Sequence, residues 1–409
     1  MSNEVNHEKA VHAALDQFRI ELPSWGFADT GTRFGKFPQA AAASTPQEKF
    51  HDAGLVHQLT GCCPSVAVHV LWDFDLSLPS DEAGKQAHQL AAANGIRIGS
   101  VNPNLFQDAV YKLGSFCSPS AEARQAAMAH AAYCVQLMPH AGSRVLSLWL
   151  ADGTNYPGQD DIRGRKRRLE SALSDLAALM RRGTSDGLLL VEYKPFEPAF
   201  YHTDVADWGM AAAFCRAAGE NAKVLVDTGH HLPGQNVEHI VAFLLDEGLL
   251  GGFHFNDRKY ADDDLTLGSI DPYAAFRIFD QIHDYAFDHG GVLPSIEYMV
   301  DQSHNLKPKL EAMVQTVCEA QKLFARAATV DRKRLREAQA GGDIVAAESC
   351  LKEAFDRDVS GLVASWRKSR NLADDPLHAL RGSGVIERLG NEREAARKER
   401  GVVATSAFA

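Results

Sequence analysis

The chain has 409 residues, of which 45% are hydrophobic and 23% charged, the balance of an ordinary globular protein. The formal net charge of −11 gives no electrostatic support for nonspecific nucleic-acid binding, so no nucleic-acid partner is expected. No apolar run is long enough to span a bilayer, so no membrane partner is expected either. The seven cysteines are odd in number and lack CxxC spacing, and the N-terminus is polar. These features predict reduced thiols in a cytoplasmic protein.

Short apolar runs recur along the first three quarters of the chain and predict eight strands. They are Leu22–Phe27, Val66–Trp72, Ile96–Val101, Val145–Leu150, Leu188–Tyr193, Lys223–Asp227, Gly252–Asn256 and Ser295–Val300. Helix-period stretches lie between most of them, such as Ala121–Met138, Arg167–Arg181, Trp208–Ala218, Val237–Glu247 and Ala274–His289. Strands that alternate with helices pair with one another in parallel. Eight such strand–helix units fit a closed (β/α)8 barrel, the TIM barrel. A doubly wound open sheet is the competing architecture, but no glycine-rich phosphate loop follows the first strand.

The pattern changes after residue 305, where helical stretches follow one another without strands: Pro308–Thr329, Arg332–Ala340 and Ile344–Ser369. We therefore predict a barrel domain over residues 1–305 and a C-terminal helical extension over 306–409. Four apolar residues recur at helical spacing, and we interpret their face as a subunit contact, with a buried face as the alternative: Leu351, Phe355, Leu362 and Trp366. The charged tail after Asp374 is expected to be loosely held.

Carboxylates and imidazoles stand at the ends of the last four predicted strands, where barrel enzymes place their active sites. Glu192 and Lys194 alternate along the fifth strand, so they point to the same side, either as site residues or as a buried salt bridge. Asp227 ends the sixth strand and His230 follows three residues later, close enough to share a metal cluster. A helix-capping aspartate is the alternative explanation of Asp227.

The seventh predicted strand carries His254 and leads into four aspartates: Asp257, Asp262, Asp263 and Asp264. The i,i+2 spacing of Asp262 and Asp264 lets two carboxylates hold one cation, and charges this dense destabilise one another unless a cation or solvent neutralises them. Asp301 closes the eighth strand, and by simple alternation Glu297 also points inward. Carboxylates and imidazoles without a thiolate favour Mn²⁺, Mg²⁺ or Co²⁺ over a structural zinc.

Aromatic side chains lie at or just after several predicted strand ends: Phe34, Trp72, Phe106 and Trp149. Flat apolar walls with nearby polar groups are what a sugar ring binds against, although core packing explains each aromatic residue separately. His69 is a separate candidate for acid–base work at the same mouth, with a core histidine as the alternative.

At these positions the chain resembles the bacterial L-rhamnose isomerases, which are xylose-isomerase-like barrels. The resemblance rests on Glu-x-Lys on strand five, Asp-x-x-His on strand six, His-Phe-Asn-Asp with Asp-x-Asp on strand seven, and Asp-Gln-Ser-His on strand eight. It runs from Pro23-Ser-Trp-Gly26 to His304. It implies an aldose–ketose isomerase for L-rhamnose or related aldoses, a homotetramer, and two divalent cations per subunit, with Mn²⁺ favoured over Co²⁺ or Mg²⁺.

The same resemblance implies a role for each site residue. A first cation would be held by Glu192, Asp227, His254 and Asp301. Asp227 would also reach a second cation held with His230, Asp262 and Asp264. Three residues would be catalytic, namely Lys194 at the sugar's O1, His69 at the ring oxygen, and Asp264. The sugar pocket would be lined by His69, Trp72, Phe106, Trp149 and Lys194, with Phe34 reaching into a neighbouring subunit's site.

Several reactions remain open at this point. The two-cation pattern favours a metal-assisted hydride shift between C1 and C2 over proton transfer through a cis-enediol. A ketose 3-epimerase with one cation and a pair of bases, Glu192 and Glu297, is the main alternative. An inactive sugar-binding protein is another, and a barrel endonuclease is disfavoured by the acidic charge. The alanine-rich segment 38–48 looks short, which would alter the lid of the pocket and the sugar preference.

Overall fold

Eight parallel strands form the centre of the molecule in a computed structural model, which describes residues 2–32, 35–184, 186–197, 201–303 and 306–400. The strands are β1 Leu22–Pro23, β2 Ser65–His69, β3 Arg97–Asn102, β4 Val145–Leu148, β5 Leu188–Glu192, β6 Ala222–Asp227, β7 Leu250–Phe255 and β8 Glu297–Val300. Each strand pairs with the next along the chain. The Glu21 amide donates to the Tyr298 carbonyl at 2.7 Å and the Val300 amide donates to the Glu21 carbonyl at 2.9 Å, which joins β8 to the start of β1. The predicted TIM barrel is confirmed.

Helices cover the outside of the barrel and continue beyond it. They are α1 Ser2–Gln17, α2 Pro46–Thr60, α3 Val70–Asp73, α4 Ser80–Ala93, α5 Ala121–Ala141, α6 Ile162–Gly183, α7 Trp208–Ala218, α8 Val237–Asp246, α9 Pro272–Asp288, α10 Lys309–Ala327, α11 Arg332–Ala340, α12 Ile344–Phe355, α13 Ser360–Lys368, α14 Pro376–Gly382 and α15 Val385–Glu399. Many begin at a polar side chain that accepts a hydrogen bond from the first turn, including Thr45, Ser120, Asp207, Asn236 and Asp271. Two short hairpins pair Gly31–Thr32 with Gly35–Lys36, and Phe196–Glu197 with Tyr201–His202.

The first two strands end four and three residues earlier than the sequence predicts. After Pro23 the chain enters a 3-10 turn, Ser24–Phe27, and β2 ends at His69 where α3 begins. Asp73 stabilises both exits, because its carboxylate accepts hydrogen bonds from the Ser24 hydroxyl at 2.6 Å and from the His69 amide at 2.9 Å. The two turns carry Trp25 and Trp72 out of the sheet and into the wall of a cavity.

Inward-facing side chains form layers inside the barrel. At the N-terminal mouth, Glu21 accepts hydrogen bonds from the Ser100 amide and hydroxyl at 2.8 and 2.6 Å, and Arg144 pairs with Glu297. The middle layer is apolar and consists of Val145, Leu190, Leu225 and Met299. Glu297 therefore faces inward as predicted, but it lies at the mouth opposite Asp301. It cannot compete for a cation there or pair with Glu192 as an acid–base partner.

The C-terminal helices pack on the barrel and on one another. α10 follows β8 and contacts α1, α2 and α9. The predicted helix Ile344–Ser369 is interrupted between Phe355 and Ser360, where Asp358 accepts a hydrogen bond from the Ser360 amide at 2.9 Å. Trp366 is 1% exposed, and its indole nitrogen donates to Asp16 of α1 at 2.9 Å. Trp366 therefore packs on the chain's own α1, and the subunit contact expected for its face stays a prediction.

Residues 375–400 of the segment after Asp374 are ordered, contrary to the expectation of a loose tail, and residues 401–409 lie outside the described residues. The described part forms α14 and α15, and the buried Arg393 of α15 makes an ion pair with the buried Asp52 of α2 at 2.6 Å. Charge in a tail therefore does not indicate disorder when its partners lie elsewhere in the chain.

Arg165 is buried although it lies in a basic run, residues 163–168 of α6. It is 2% exposed and pairs with Asp160 and Asp204 at 3.0 and 2.7 Å. The seven cysteines are free thiols. Within the described residues, no helix combines the length and apolarity needed to cross a membrane.

Candidate active site

A cavity of 290 Å³ opens at the C-terminal mouth of the barrel. Its lining includes most of the residues selected from the sequence: His69, Trp72, Phe106, Trp149, Glu192, Lys194, His230, His254, Asp262, Asp264 and Asp301. Asp227 is fully buried beside them. Phe34 lies outside the described residues, so its predicted reach into a neighbouring site stays a prediction.

Four predicted ligands converge at the ends of β5 to β8: Glu192, Asp227, His254 and Asp301. Each offers one nitrogen or oxygen atom, and these atoms lie within 4.8 Å of one another. The Nδ1 atom of His254 is 3.2 Å from Glu192 Oε2, 3.6 Å from Asp301 Oδ2 and 3.8 Å from Asp227 Oδ2. Neither ring nitrogen of the buried His254 makes a hydrogen bond to a described residue. A buried nitrogen that faces three carboxylates in this way fits the ligand set of a divalent cation.

The electrostatics of this cluster also favour one positive charge among the carboxylates. Burial alone would lower the pKa of His254, but the neighbouring Glu192 outweighs it and raises that pKa to about 9. Burial would raise the pKa of Glu192, but the charges and hydrogen bonds of His254 and His230 hold it below its usual range. A bound cation would supply the positive charge that the protonated ring of His254 supplies in its absence.

Asp227 is fixed by donors on two sides. The Gly229 amide donates to its Oδ1 at 2.7 Å, and the Asn256 side-chain amide donates to both oxygens at 3.0 and 3.2 Å. Burial raises the pKa of Asp227 to about 7, and Glu192 adds to the shift. A Cβ atom on Gly229 would lie 2.3 Å from Asn256 Oδ1, so this close approach requires glycine. Asn256 was missed from the sequence, although it follows His254 by two residues and so shares its inward face.

The second predicted set lies beside the first. His230 Nε2 is 2.8 Å from Asp262 Oδ1, and His230 Nδ1 is 3.1 Å from Glu192 Oε1. Asp262 and Asp264 both have left-handed backbones, with φ of 53° and 48°. Burial, together with Asp301 and Asp262, raises the pKa of Asp264 well above its usual range. Strained backbone and crowded carboxylates are costs that a structure bears at functional positions.

Lys194 shares the cavity with Glu192, as alternation along β5 predicts. Its ammonium lies 2.5 Å from Asp262 Oδ2 and 2.8 Å from Glu197 Oε2, and 5.2 Å from the centre of the Trp149 ring. Burial would lower the pKa of Lys194, but Asp262 and Glu197 outweigh it and raise that pKa. The group is therefore a fixed cation that can donate to an oxygen in the cavity. Glu197 is a further site residue that sequence reasoning missed.

Aromatic rings form the wall opposite the carboxylates. The His69 ring lies 4.1 Å from the Trp72 ring and 4.9 Å from the Trp25 ring, and Phe106 lies 5.1 Å from Trp149, all between centroids. Burial lowers the pKa of His69 to about 3, so its ring is neutral at pH 7. His69 Nδ1 and Trp149 Nε1 make no hydrogen bond to a described residue, which leaves both for a ligand.

Trp25 links this wall to the ligand cluster, because its indole nitrogen donates to Asp301 Oδ1 at 2.9 Å. It was assigned no role from the sequence because it falls inside a predicted strand that is in fact a turn. Two aspartates without a predicted ligand role shape the loop after β7 instead. Asp263 accepts from the amides of residues 259 to 261, and Asp257 accepts from the amides of Ile270 and Asp271.

The family follows from a comparison with known proteins. Residues 65–312, more than half of the chain, match the model described as a xylose isomerase-like TIM barrel. The chain belongs to the xylose isomerase-like TIM barrel family. Its site, at the C-terminal mouth of this sugar isomerase- or epimerase-like barrel, is where the fold places active sites.

Two bacterial relatives of this xylose isomerase-like barrel bear the name probable sugar isomerase. The protein of Mesorhizobium japonicum is 37% identical over 392 residues, which cover 94% of this chain and 88% of the relative. The protein of Rhizobium meliloti is 37% identical over 393 residues, which cover 94% and 89%. The D-psicose 3-epimerase of Clostridium cellulolyticum has a TM-score of 0.50 and 13% identity, covering 78% of this chain and 98% of that chain. At that identity the likeness concerns the fold alone.

Proposed function

We propose that the protein is an aldose–ketose isomerase that converts L-rhamnose, or closely related aldoses, to the corresponding ketose. The observation that carries the proposal is the convergence of Glu192, Asp227, His254 and Asp301 beside an aromatic-walled cavity. The two probable sugar isomerases, aligned over 94% of this chain, support the general class. The strand-end motifs, which resemble those of L-rhamnose isomerases, support the choice of sugar.

Two divalent cations belong to this proposal, Mn²⁺ before Co²⁺ or Mg²⁺. The first would be held by Glu192, Asp227, His254 and Asp301, and the second by His230, Asp262 and Asp264 with Asp227 shared. Oxygen and imidazole donors without thiolate suit these ions. When bound, such cations polarise a carbonyl and lower the pKa of nearby water. At the second position a cation would compete with Lys194 for Asp262, since these two side chains are 2.5 Å apart.

The protein's own groups would bind and orient the sugar. Lys194 would donate to O1, held in place by Asp262 and Glu197. The neutral ring of His69 would hydrogen-bond the ring oxygen and assist ring opening. The rings of Trp72, Phe106 and Trp149 would cover the apolar face of the sugar and exclude water. A homotetramer and a cytoplasmic location complete the proposal, the latter supported by the free thiols.

An isomerisation assay tests the proposal directly. The protein is stripped with EDTA, and its activity on L-rhamnose and a panel of other aldoses is measured with and without added Mn²⁺ or Co²⁺. We expect ketose formation that depends on the cation, with two ions bound per chain. Formation of no ketose from any aldose in the presence of Mn²⁺ would contradict an isomerase, and would leave the sugar-binding alternative if the sugars still bind.

Running the reaction in deuterated water tests the chemical route. We propose a hydride shift between C1 and C2, in which the hydrogen stays with the sugar and no base holds it. The ketose should then carry no solvent deuterium at C1. Extensive deuterium at C1 of the ketose, or at C2 of the recovered aldose, would instead identify proton transfer by a carboxylate base.

Epimerisation of a ketose at C3 is the second candidate. It needs two carboxylates as acid and base, and the cavity contains two glutamates, Glu192 and Glu197, whereas Glu297 lies at the other mouth. One ion per chain and interconversion of ketoses without aldose formation would favour this candidate. Two ions per chain and aldose–ketose interconversion would favour the isomerase.

A further inference from the structure

We propose that the C-terminal helix α15 positions one wall of the sugar cavity by holding the irregular segment 39–44 through Arg393 and Arg397. The inference rests on the proposed function for its kinetic consequence, but the contacts themselves do not depend on it. Residues 39–44 lie in the connection between the hairpin after β1, which ends at Lys36, and helix α2, which begins at Pro46.

This segment has few side chains with which to hold itself in place. Its centre is four alanines, residues 40–43, and it forms neither helix nor regular strand. A backbone without regular structure leaves carbonyl oxygens that need donors from elsewhere. Helix α15 supplies them. Its Gly390 lies against Ala40, where an added Cβ would meet the Ala40 Cβ at 3.4 Å.

Two arginines of α15 donate to consecutive carbonyls of the segment. Arg393 donates to the Ala41 carbonyl and also pairs with Asp52 at 2.8 and 2.6 Å. Arg397 donates to the Gln39 and Ala42 carbonyls at 3.3 Å each and to the Ala40 carbonyl. Four carbonyls in a row are thereby satisfied by one helix. Arg393 is 3% exposed, so this is a buried anchor and not a surface contact.

The segment in turn supports the start of the cavity wall. The Ala43 amide donates to the Phe27 carbonyl at 2.9 Å, and the Gln39 amide donates to Asp29 at 3.1 Å. Phe27 ends the 3-10 turn that contains Trp25, which lines the cavity and donates to Asp301 at 2.9 Å. Hydrogen bonds therefore connect α15 to segment 39–44 and that segment to Phe27, which lies in the same 3-10 turn as Trp25. The loss of these bonds would loosen the wall against which the sugar packs.

Such a loss should weaken sugar binding in the ground state and the transition state alike. Among the described residues, the contacts of Arg393 and Arg397 go to residues between 29 and 52 and not to the proposed cation ligands, so the reacting groups would stay where they are. A change of this kind raises KM and leaves kcat nearly constant. Arg393 and Arg397 are thus positioning residues, because neither touches the cavity.

The test uses Arg397→Met as the main variant, because Arg397 binds the segment without being half of the buried Asp52 pair. Arg388→Met is the matched control, since Arg388 is an exposed arginine of the same helix that pairs with Glu392. Arg393→Met is a second variant, which loses more anchoring but also the buried pair. Hydrogen exchange of peptides covering residues 37–45 is measured for each protein, together with kcat and KM for the aldose that the wild type converts.

For Arg397→Met we expect faster exchange over residues 37–45 and a KM raised about tenfold, or about 1.4 kcal/mol, at nearly wild-type kcat. Arg388→Met should match the wild type in both. Exchange and KM in Arg397→Met equal to those of Arg388→Met would overturn the proposal, and so would faster exchange with an unchanged KM. A wild type without sugar activity would contradict the proposed function, while the exchange experiment would still test the contact.

Discussion

At the residue scale, the cavity is dominated by carboxylates that repel one another. Asp264 shows this most clearly, because burial and the neighbouring Asp301 and Asp262 raise its pKa well above the usual range. Asp264→Asn keeps the shape of the side chain and tolerates the left-handed backbone at φ 48°. We expect the cation-free variant to be more stable than the wild type by about 1 kcal/mol and to lose nearly all turnover. Urea unfolding in EDTA measures the first effect and kcat with Mn²⁺ the second.

A functional carboxylate differs from a structural one in that its replacement raises the free energy of unfolding without cations and lowers kcat with Mn²⁺. A variant that is less stable without cations would mean that Asp264 contributes to the fold. A variant that keeps wild-type turnover would contradict the second cation site. Asp263→Asn is a useful comparison, because Asp263 accepts hydrogen bonds from three loop amides. Its replacement should therefore make the protein less stable.

Asn256 gives a second prediction at this scale. Its amide donates to both oxygens of Asp227, the carboxylate proposed to be shared between two cations. Asn256→Ala should weaken Mn²⁺ binding by about tenfold, because Asp227 loses the donors that orient it. Calorimetric titration of the EDTA-stripped protein measures this. Phe255→Leu is the control, since Phe255 is the last residue of β7, directly before Asn256, and faces away from Asp227. If Mn²⁺ binding were weakened equally in both variants, Asn256 would contribute through packing alone and not by orienting Asp227.

Alternation along strands explains which site residues the sequence could reveal. Glu192 and Lys194, and likewise His254 and Asn256, share a face because they are two residues apart, and the structure brings all four together. Alternation gives a face but not a height along the barrel. For that reason Glu297 was correctly placed inside and yet lies at the wrong mouth, beside Arg144. Trp25 could not be found in this way, because a 3-10 turn does not alternate.

At the element scale, periodicity predicted the strands and the barrel helices within a few residues. The eight strands agree because parallel strands buried on both faces form short apolar runs that loops interrupt. The C-terminal region was less predictable. The apolar residues of α12 and α13 follow one continuous helical spacing, although a break separates the two helices. Helix α15 is held by ion pairs and by hydrogen bonds to carbonyls of residues some 340 positions away in the chain. Such contacts leave no periodic signal.

The packing of α9 on α10 gives a prediction about pH. His283 of α9 is half-buried, donates to the Phe324 carbonyl of α10 at 3.1 Å, and has its pKa lowered to about 3 by desolvation. Between pH 6.5 and about 3 the unfolded chain therefore binds a proton that the folded chain does not. Stability should be full above pH 6.5 and fall with decreasing pH, by up to about 1.4 kcal/mol per pH unit from this group.

Replacing the histidine isolates its contribution. His283→Gln keeps a donor for the Phe324 carbonyl and removes the titrating ring, so the free energy of unfolding should fall less steeply between pH 6 and pH 4. Urea unfolding at a series of pH values measures the slope. His239→Gln, at an exposed histidine of α8, is the matched control. Parallel slopes for the two variants would show that His283 does not contribute to acid sensitivity.

At the scale of the whole molecule, the two mouths of the barrel differ in kind. The N-terminal mouth satisfies its charges internally, through Glu21 with Ser100 and Glu297 with Arg144. The C-terminal mouth has crowded carboxylates, and several of its buried nitrogens have no hydrogen-bond partner among the residues that the structure describes. A barrel that is stable at one end can carry destabilising groups at the other. In this fold the N-terminal face generally contributes stability and the C-terminal face carries the active site.

This difference predicts how cations change the stability of the whole chain. A cation that binds the folded but not the unfolded chain stabilises it by about 2.7 kcal/mol when free Mn²⁺ is 100 times the dissociation constant. Saturating Mn²⁺ should therefore raise the melting temperature of the EDTA-stripped protein by several degrees. His254→Gln should lose most of that rise, because His254 Nδ1 faces three of the proposed ligands. Glu297→Gln, at an inward carboxylate of the opposite mouth, should keep all of it. Equal rises in the two variants would mean that Mn²⁺ stabilises the protein from somewhere other than the C-terminal mouth.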